Sequence, residues 1–193
     1  MFGESLVIDI FDPSKEGKTQ LGIAYLFLSS ENRISDTDYA LFEEIGKSVD
    51  GFSNWKGEVI GECEKLLVAA DSATPRLKIV SDFFLTRKTS GGVANKQSRT
   101  ILFTLVSLLY YNERKSDIKQ GLAELWAEVN CIEKSVFLEM CDICATQSVI
   151  SNHKAWLESS KGISYQKVNS IMKELDNNLE SLKKSAVDLA ALG

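Results

Sequence analysis

Two prolines and a single histidine stand among the 193 residues of this chain. So little proline argues against a run of rigid turns and leaves helix as the default conformation. With one histidine, any Ser-His-Asp or Cys-His arrangement has to pass through His153. That residue lies in the polar run Ser151-Asn152-His153-Lys154, which reads as the start of a surface helix. No nucleophile elbow, HExxH pair or glycine-rich cofactor fingerprint is present, so the sequence reads as a non-enzyme. Long apolar runs are also missing. The longest, Ile101 to Tyr111, is interrupted by Thr104 and Ser107 and falls far short of the roughly 20 residues of a membrane span. The first residues carry Glu4 and Asp9 and no basic cluster, unlike a secretory signal. A cytoplasmic, reducing setting is therefore the expectation.

What is present is an ordinary globular composition, 44% hydrophobic and 25% charged. The net charge of −5 disfavours a nucleic-acid coat without excluding a local basic patch. The charge is unevenly spread. Residues 31–71 hold ten acids against four bases, whereas residues 76–99 hold six bases against Asp82 alone. An acidic first third thus leads into a basic connector.

The four cysteines, Cys63, Cys131, Cys141 and Cys144, can be read in two ways. Cys141-x-x-Cys144 with Cys131 and His153 makes a three-cysteine, one-histidine set for zinc. The spacing favours the other reading. Val136, Phe137, Met140, Cys141 and Cys144 fall on one helical stripe, where free cysteine packs as a small hydrophobe. A zinc knuckle also wants a tight glycine-containing turn, and none is there.

Apolar periodicity predicts helices at about 17–30, 36–49, 53–70, 75–88, 94–113, 116–129, 132–147, 149–160 and 164–190. Ser35, Ser53, Ser116 and Ser164 precede periodic runs as N-caps do, and Asn130-x-x-Glu133 reads as a capping box. Thr74 precedes Pro75 at a first-turn position. The stretch Ser5 to Phe11 is rich in β-branched residues but has no partner strand, and is expected as an extended arm or short helix.

An internal repeat organises these helices. At an offset of 81, residues 26–45 lie over residues 107–126 with six identities: Leu28/Leu109, Arg33/Arg114, Ser35/Ser116, Asp36/Asp117, Leu41/Leu122 and Glu43/Glu124. The register continues without a gap to Glu58/Glu139 and Cys63/Cys144. The predicted fold is therefore all-α. Two three-helix units, about 18–67 and 99–148, form one bundle over residues 1–160, joined by the basic connector 76–99. Each unit opens with a helix apolar nearly all round, the mark of a buried central helix. Residues 161–193 add a long amphipathic helix.

The stretch AYLFLSSENRISDTDYALFEEIGKSV resembles the bacterial TerB-like, tellurite-resistance-associated family. The family motif is an apolar helix, Ala-Asp-Gly, any residue, Ile-Ser, two residues and Glu. Ser30, Glu31 and Asn32 stand at its first three places, Ile34 and Ser35 match, and Asp38 takes the place of the Glu. In the second unit Asn112 and Lys119 replace the acids and Glu113 sits one place along. The resemblance implies an all-helical fold, divalent-metal binding through the acidic motif residues, and an accessory role in bacterial stress or phage-defence systems.

Three sets of residues are candidates for function. Glu31, Asp36 and Asp38 could offer clustered oxygens to a weakly bound calcium or magnesium ion, although Ser35-x-x-Asp38 also reads as a helix cap. Arg87, Lys88, Lys96 and Arg99 near a helix start are candidate anion ligands, which would make the chain an anion- or nucleic-acid-responsive regulator. Met172, Leu175, Leu179, Leu182 and Leu189 form a narrow seam at spacings of three and four. That seam suits either the domain's own groove or a protein partner, a second copy included. Action through protein partners is the leading expectation.

Overall fold

The computed structural model describes residues 16–68, 76–87, 95–111, 116–159 and 165–191. Among them are eight helices and no strand: α1 (Glu16–Leu28), α2 (Asp36–Gly46), α3 (Phe52–Leu67), α4 (Arg76–Leu85), α5 (Lys96–Tyr110), α6 (Asp117–Val129), α7 (Lys134–Ser159) and α8 (Tyr165–Ala191). The chain is an all-α bundle. No helix among the described residues is long and apolar enough to cross a membrane. The stretch 5–11, Thr74-Pro75 and Ser164 lie outside the described residues.

Two helices form the centre. In α1, Leu21, Ile23, Ala24, Leu26 and Phe27 are all fully buried, so the helix has no solvent face over more than a turn. In α5, Leu102, Leu105 and Val106 are equally enclosed. The two central helices pack on each other, α1 also against α2 and α3, and α5 against α6, α7 and α8. Phe42 of α2 meets Tyr25 and Phe52 edge-on at centroid distances of 5.4 and 5.6 Å. On the other side Phe84 of α4 meets Trp126 of α6 at 5.3 Å, and the Trp126 Nε1–H donates to the Ser98 carbonyl at 2.9 Å.

The helix starts follow their caps. The Ser35 Oγ accepts from the Asp38 N–H, and Ser116 does the same for Lys119. Asn95 caps α5 in a reciprocal box with Ser98. Two expected caps are displaced. The N-cap of α3 is Gly51, at φ 79°, so Ser53 lies inside the helix rather than before it. Asn130 ends α6 instead of opening α7: it is buried and its Nδ2 donates to the Trp126 carbonyl. Cys131 then takes φ 54° while its N–H reaches the Glu128 carbonyl and the Ile132 N–H reaches Ala127, a Schellman closure with Ile132 tucked into the core.

The expected break near residue 148 does not occur. From Lys134 to Ser159 no glycine or proline interrupts the ladder, and Ile150 and Leu157 in the second half are buried. What lets α7 continue is α8, which packs along it. Only five residues separate Ser159 from Tyr165, a length that returns the chain antiparallel, and the Lys154 ammonium pairs with Asp176 across the hairpin. Towards its end α8 reaches α5, where Ala186 and Leu189 join the common core. The boundary expected at residue 160 therefore divides helices that share one core.

Candidate functional site

Glu31, Asp36 and Asp38 are not assembled as a ligand set. Among the described residues no three His, Cys, Asp or Glu side chains are grouped to hold a metal ion. Asp38 is occupied as a cap, accepting from the Ser35 Oγ at 2.6 Å while its own N–H donates back at 3.1 Å. Asp36 sits exposed in the first turn of α2, where it favours the helix dipole. Glu31 crosses to the second half of the chain. It accepts from the Ser116 Oγ at 2.8 Å and lies 3.8 Å from the Lys119 ammonium. A lysine that neutralises Glu31 removes the charge a cation would need.

Glu31 and Asp38, but not Asp36, line a polar cleft of about 570 Å³ between the starts of α2 and α6. Leu28 faces it with Leu109, Ser35 with Ser116, and Asp38 with Lys119. Each of these pairs is separated by the 81-residue offset read from the sequence.

The Arg87 guanidinium lies 4.7 Å from the Phe83 ring centroid, and burial lowers its pKa. Lys96 is exposed at the start of α5 and Lys88 lies outside the described residues. Arg99 is half-buried, with Nε and Nη1 withdrawn from solvent and without a hydrogen-bond partner. The first ten residues of the expected connector are helix α4, in which Arg76 is buried.

The C-terminal seam faces inward. Met172, Leu175, Leu179 and Leu182 are half-buried and Ala186 and Leu189 buried, whereas the other positions of α8 between Met172 and Leu189 are exposed. The helices α8 packs on are α7 and α5. The seam is therefore occupied by the protein itself.

Cys63 and Cys144 are core residues. The Cys63 Sγ donates to the Gly22 carbonyl at 3.5 Å and its thiol pKa is pushed well up by burial. The Cys144 Sγ lies 3.5 Å from the Ser107 Oγ, and burial pushes its pKa up to about 11. Neither is a thiolate at neutral pH, so neither is an activated nucleophile. Cys141 is half-buried, while Cys131 is exposed, contrary to the core expectation, because the left-handed turn after α6 holds it at the surface. His153 is exposed, with its ring 6.0 Å from that of Trp156.

A different surface carries the features the sequence reading passed over. Leu138, Val149 and Trp156 of α7 are 50%, 68% and 57% exposed. Beside Leu138 an open groove of about 570 Å³ runs between α6, the end of α5 and the first half of α7. Its buried wall is Ala127, Ile132 and Phe137, with Tyr110 half-buried beside them, and the exposed carboxylates of Glu124, Glu128 and Asp142 stand along it. The signal in the sequence was the pair Glu124 and Glu128, four apart on one helix face with no base at matching spacing on α6.

Neither a family model, nor a curated protein, nor a solved structure matches the chain.

Proposed function

We propose that this chain is a non-enzymatic, TerB-like module of two related three-helix units that works by contacting other proteins. The resemblance at residues 23–45 would set that work in a bacterial stress or phage-defence system. The duplication is supported by the packing: α1 carries α2 and α3 as α5 carries α6 and α7. Cys63 and Cys144 are both buried on the third helix of their unit, against the first.

The observation that carries the interaction reading is the outer side of α7. A helix that already packs on α5, α6 and α8 still leaves Leu138, Val149 and Trp156 in water. Tryptophan is among the residues enriched at interaction hot spots, and at 100° per residue Leu138, Val149 and Trp156 fall on one stripe of α7. The test is reconstitution. A protein recovered with the wild-type chain and then bound by it from pure components should be lost with Leu138→Glu and Trp156→Glu, while the melting temperature of the variant stays close to wild type. Binding that ignores both substitutions, or no partner at all, would remove the reading.

One observation favours a second reading, an anion- or nucleic-acid-responsive regulator using residues 76–99. Arg99, beside the N-terminus of α5, has guanidinium nitrogens without a partner. Retention on heparin that falls with salt and is lost in Arg99→Gln would support it; retention unchanged by that substitution would reject it.

A further inference from the structure

We infer that the groove between α6 and α7 docks a basic amphipathic segment of a protein partner. This rests on the interaction reading and adds to it a place and a chemistry.

The first argument is charge. Several carboxylates elsewhere in this protein are met by its own lysines: Glu44 by Lys47 at 2.5 Å, Glu62 by Lys65 at 2.5 Å, Glu58 by Lys18 at 2.6 Å and Glu180 by Lys183 at 3.0 Å. Along the groove, Glu124, Glu128 and Asp142 enter no ion pair among the described residues. Glu124 accepts only from the Gln120 amide, at 3.0 Å, and the one lysine that lines the groove, Lys134, pairs with none of the three. Three carboxylates stand along an apolar wall, and the lysine of the same groove is paired with none of them. A ligand that is cationic at its edges and apolar at its centre pairs with the carboxylates and covers Phe137, Ile132 and Leu138 at once.

The second argument is the first unit itself. At the 81-residue register Glu124 corresponds to Glu43, and Phe137 corresponds to Lys56. In the first unit the Lys56 ammonium pairs with Glu43 and lies 4.9 Å from the centroid of the Tyr39 ring. The protein thus supplies a lysine of its own to the α2–α3 carboxylate. In the α6–α7 unit that lysine is a buried phenylalanine, and the glutamate is kept without its cation. What is missing from the second unit is a basic side chain lying across an apolar surface, and a basic amphipathic helix brings such side chains from outside.

The test uses the full chain and a labelled synthetic helical peptide of about fourteen residues, leucine on one face and lysine on the other, read by fluorescence anisotropy. The comparator carries glutamate in place of lysine. The expected result is binding of the basic peptide alone, weakened by salt, with Kd raised at least about tenfold in Glu124→Gln/Glu128→Gln/Asp142→Asn. These isosteric changes leave the buried wall untouched. A control removes the same charge elsewhere, Asp36→Asn/Asp50→Asn/Glu174→Gln, and should leave Kd within about twofold of wild type. Equal loss in both variants, equal binding of the acidic peptide, or no binding overturns the groove assignment. If the reconstituted partner still binds the groove variant, the interaction reading stands and only its location is wrong; if no partner binds the wild-type chain either, both fail.

Discussion

Cys131 sits where helices usually place glycine. Its φ of 54° puts a side chain close to its own carbonyl, and its thiol is exposed, so the residue has strain and no packing to offset it. Replacing it by glycine removes the steric cost at the price of some unfolded-chain entropy. Cys131→Gly should therefore stabilise the protein by about 0.5–1 kcal/mol, measured by urea denaturation with an unchanged slope. Cys131→Val should lower stability, since a β-branched residue tolerates that backbone least. The same kind of local reading explains which caps were legible. Ser35 and Ser116 were, because each serine accepts from the N–H three residues on, whereas Gly51 at φ 79° starts α3 two residues before Ser53. Asn130 was not, because asparagine serves the end of one helix as readily as the start of the next, and only its burial under Trp126 decides between them.

At the scale of the element, the hairpin of α7 and α8 is where sequence and structure part most instructively. A seam of leucines at spacings of three and four states that α8 needs a groove and says nothing about whose groove it is. The short link to α7 and the burial of Ala186 and Leu189 answer that question. The central helices were legible for the opposite reason: Leu21 to Leu28 is apolar on every face, and a helix with no polar face has only one place to go. Of the groove between α6 and α7 only the Glu124 and Glu128 pair was legible, since its apolar wall and its lack of a paired lysine depend on neighbours across space. For α8 the consequence is definite. Leu175→Asp with Leu182→Asp places two carboxylates against α7 and α5, and should lower stability by about 2–4 kcal/mol in total, less than two fully buried leucines would cost. A melting curve superimposable on wild type would mean that α8 is held by something other than its seam.

Among the described residues one hydrophobic cluster reaches every helix and is shared across the offset of 81. Buried residues from all eight helices, from Leu21 of α1 to Leu189 of α8, belong to a single cluster, and the interface of α1 with α5 lies inside it. Glu31 adds a polar tie by leaving the first unit to meet Ser116 and Lys119 at the start of α6. Two units that each folded alone would keep their own cores and meet through a thinner, more polar contact. Here neither central helix can be exposed without opening Leu26, Phe27, Leu102 and Leu105 to water. Folding should therefore be a single transition, although residues 26–45 and 107–126 share six identities at that offset. Leu105→Ala, which removes a side chain wholly inside that core, is expected to cost about 2–5 kcal/mol. The cost should fall on both halves together: in amide hydrogen exchange followed by mass spectrometry, peptides from α1–α3 and from α5–α7 should lose protection by the same free energy. The substitution lies in the second half by sequence, so loss confined to α5–α7 would show that the units unfold independently. Equal loss in α1–α3, far along the chain from residue 105, is what a shared centre requires.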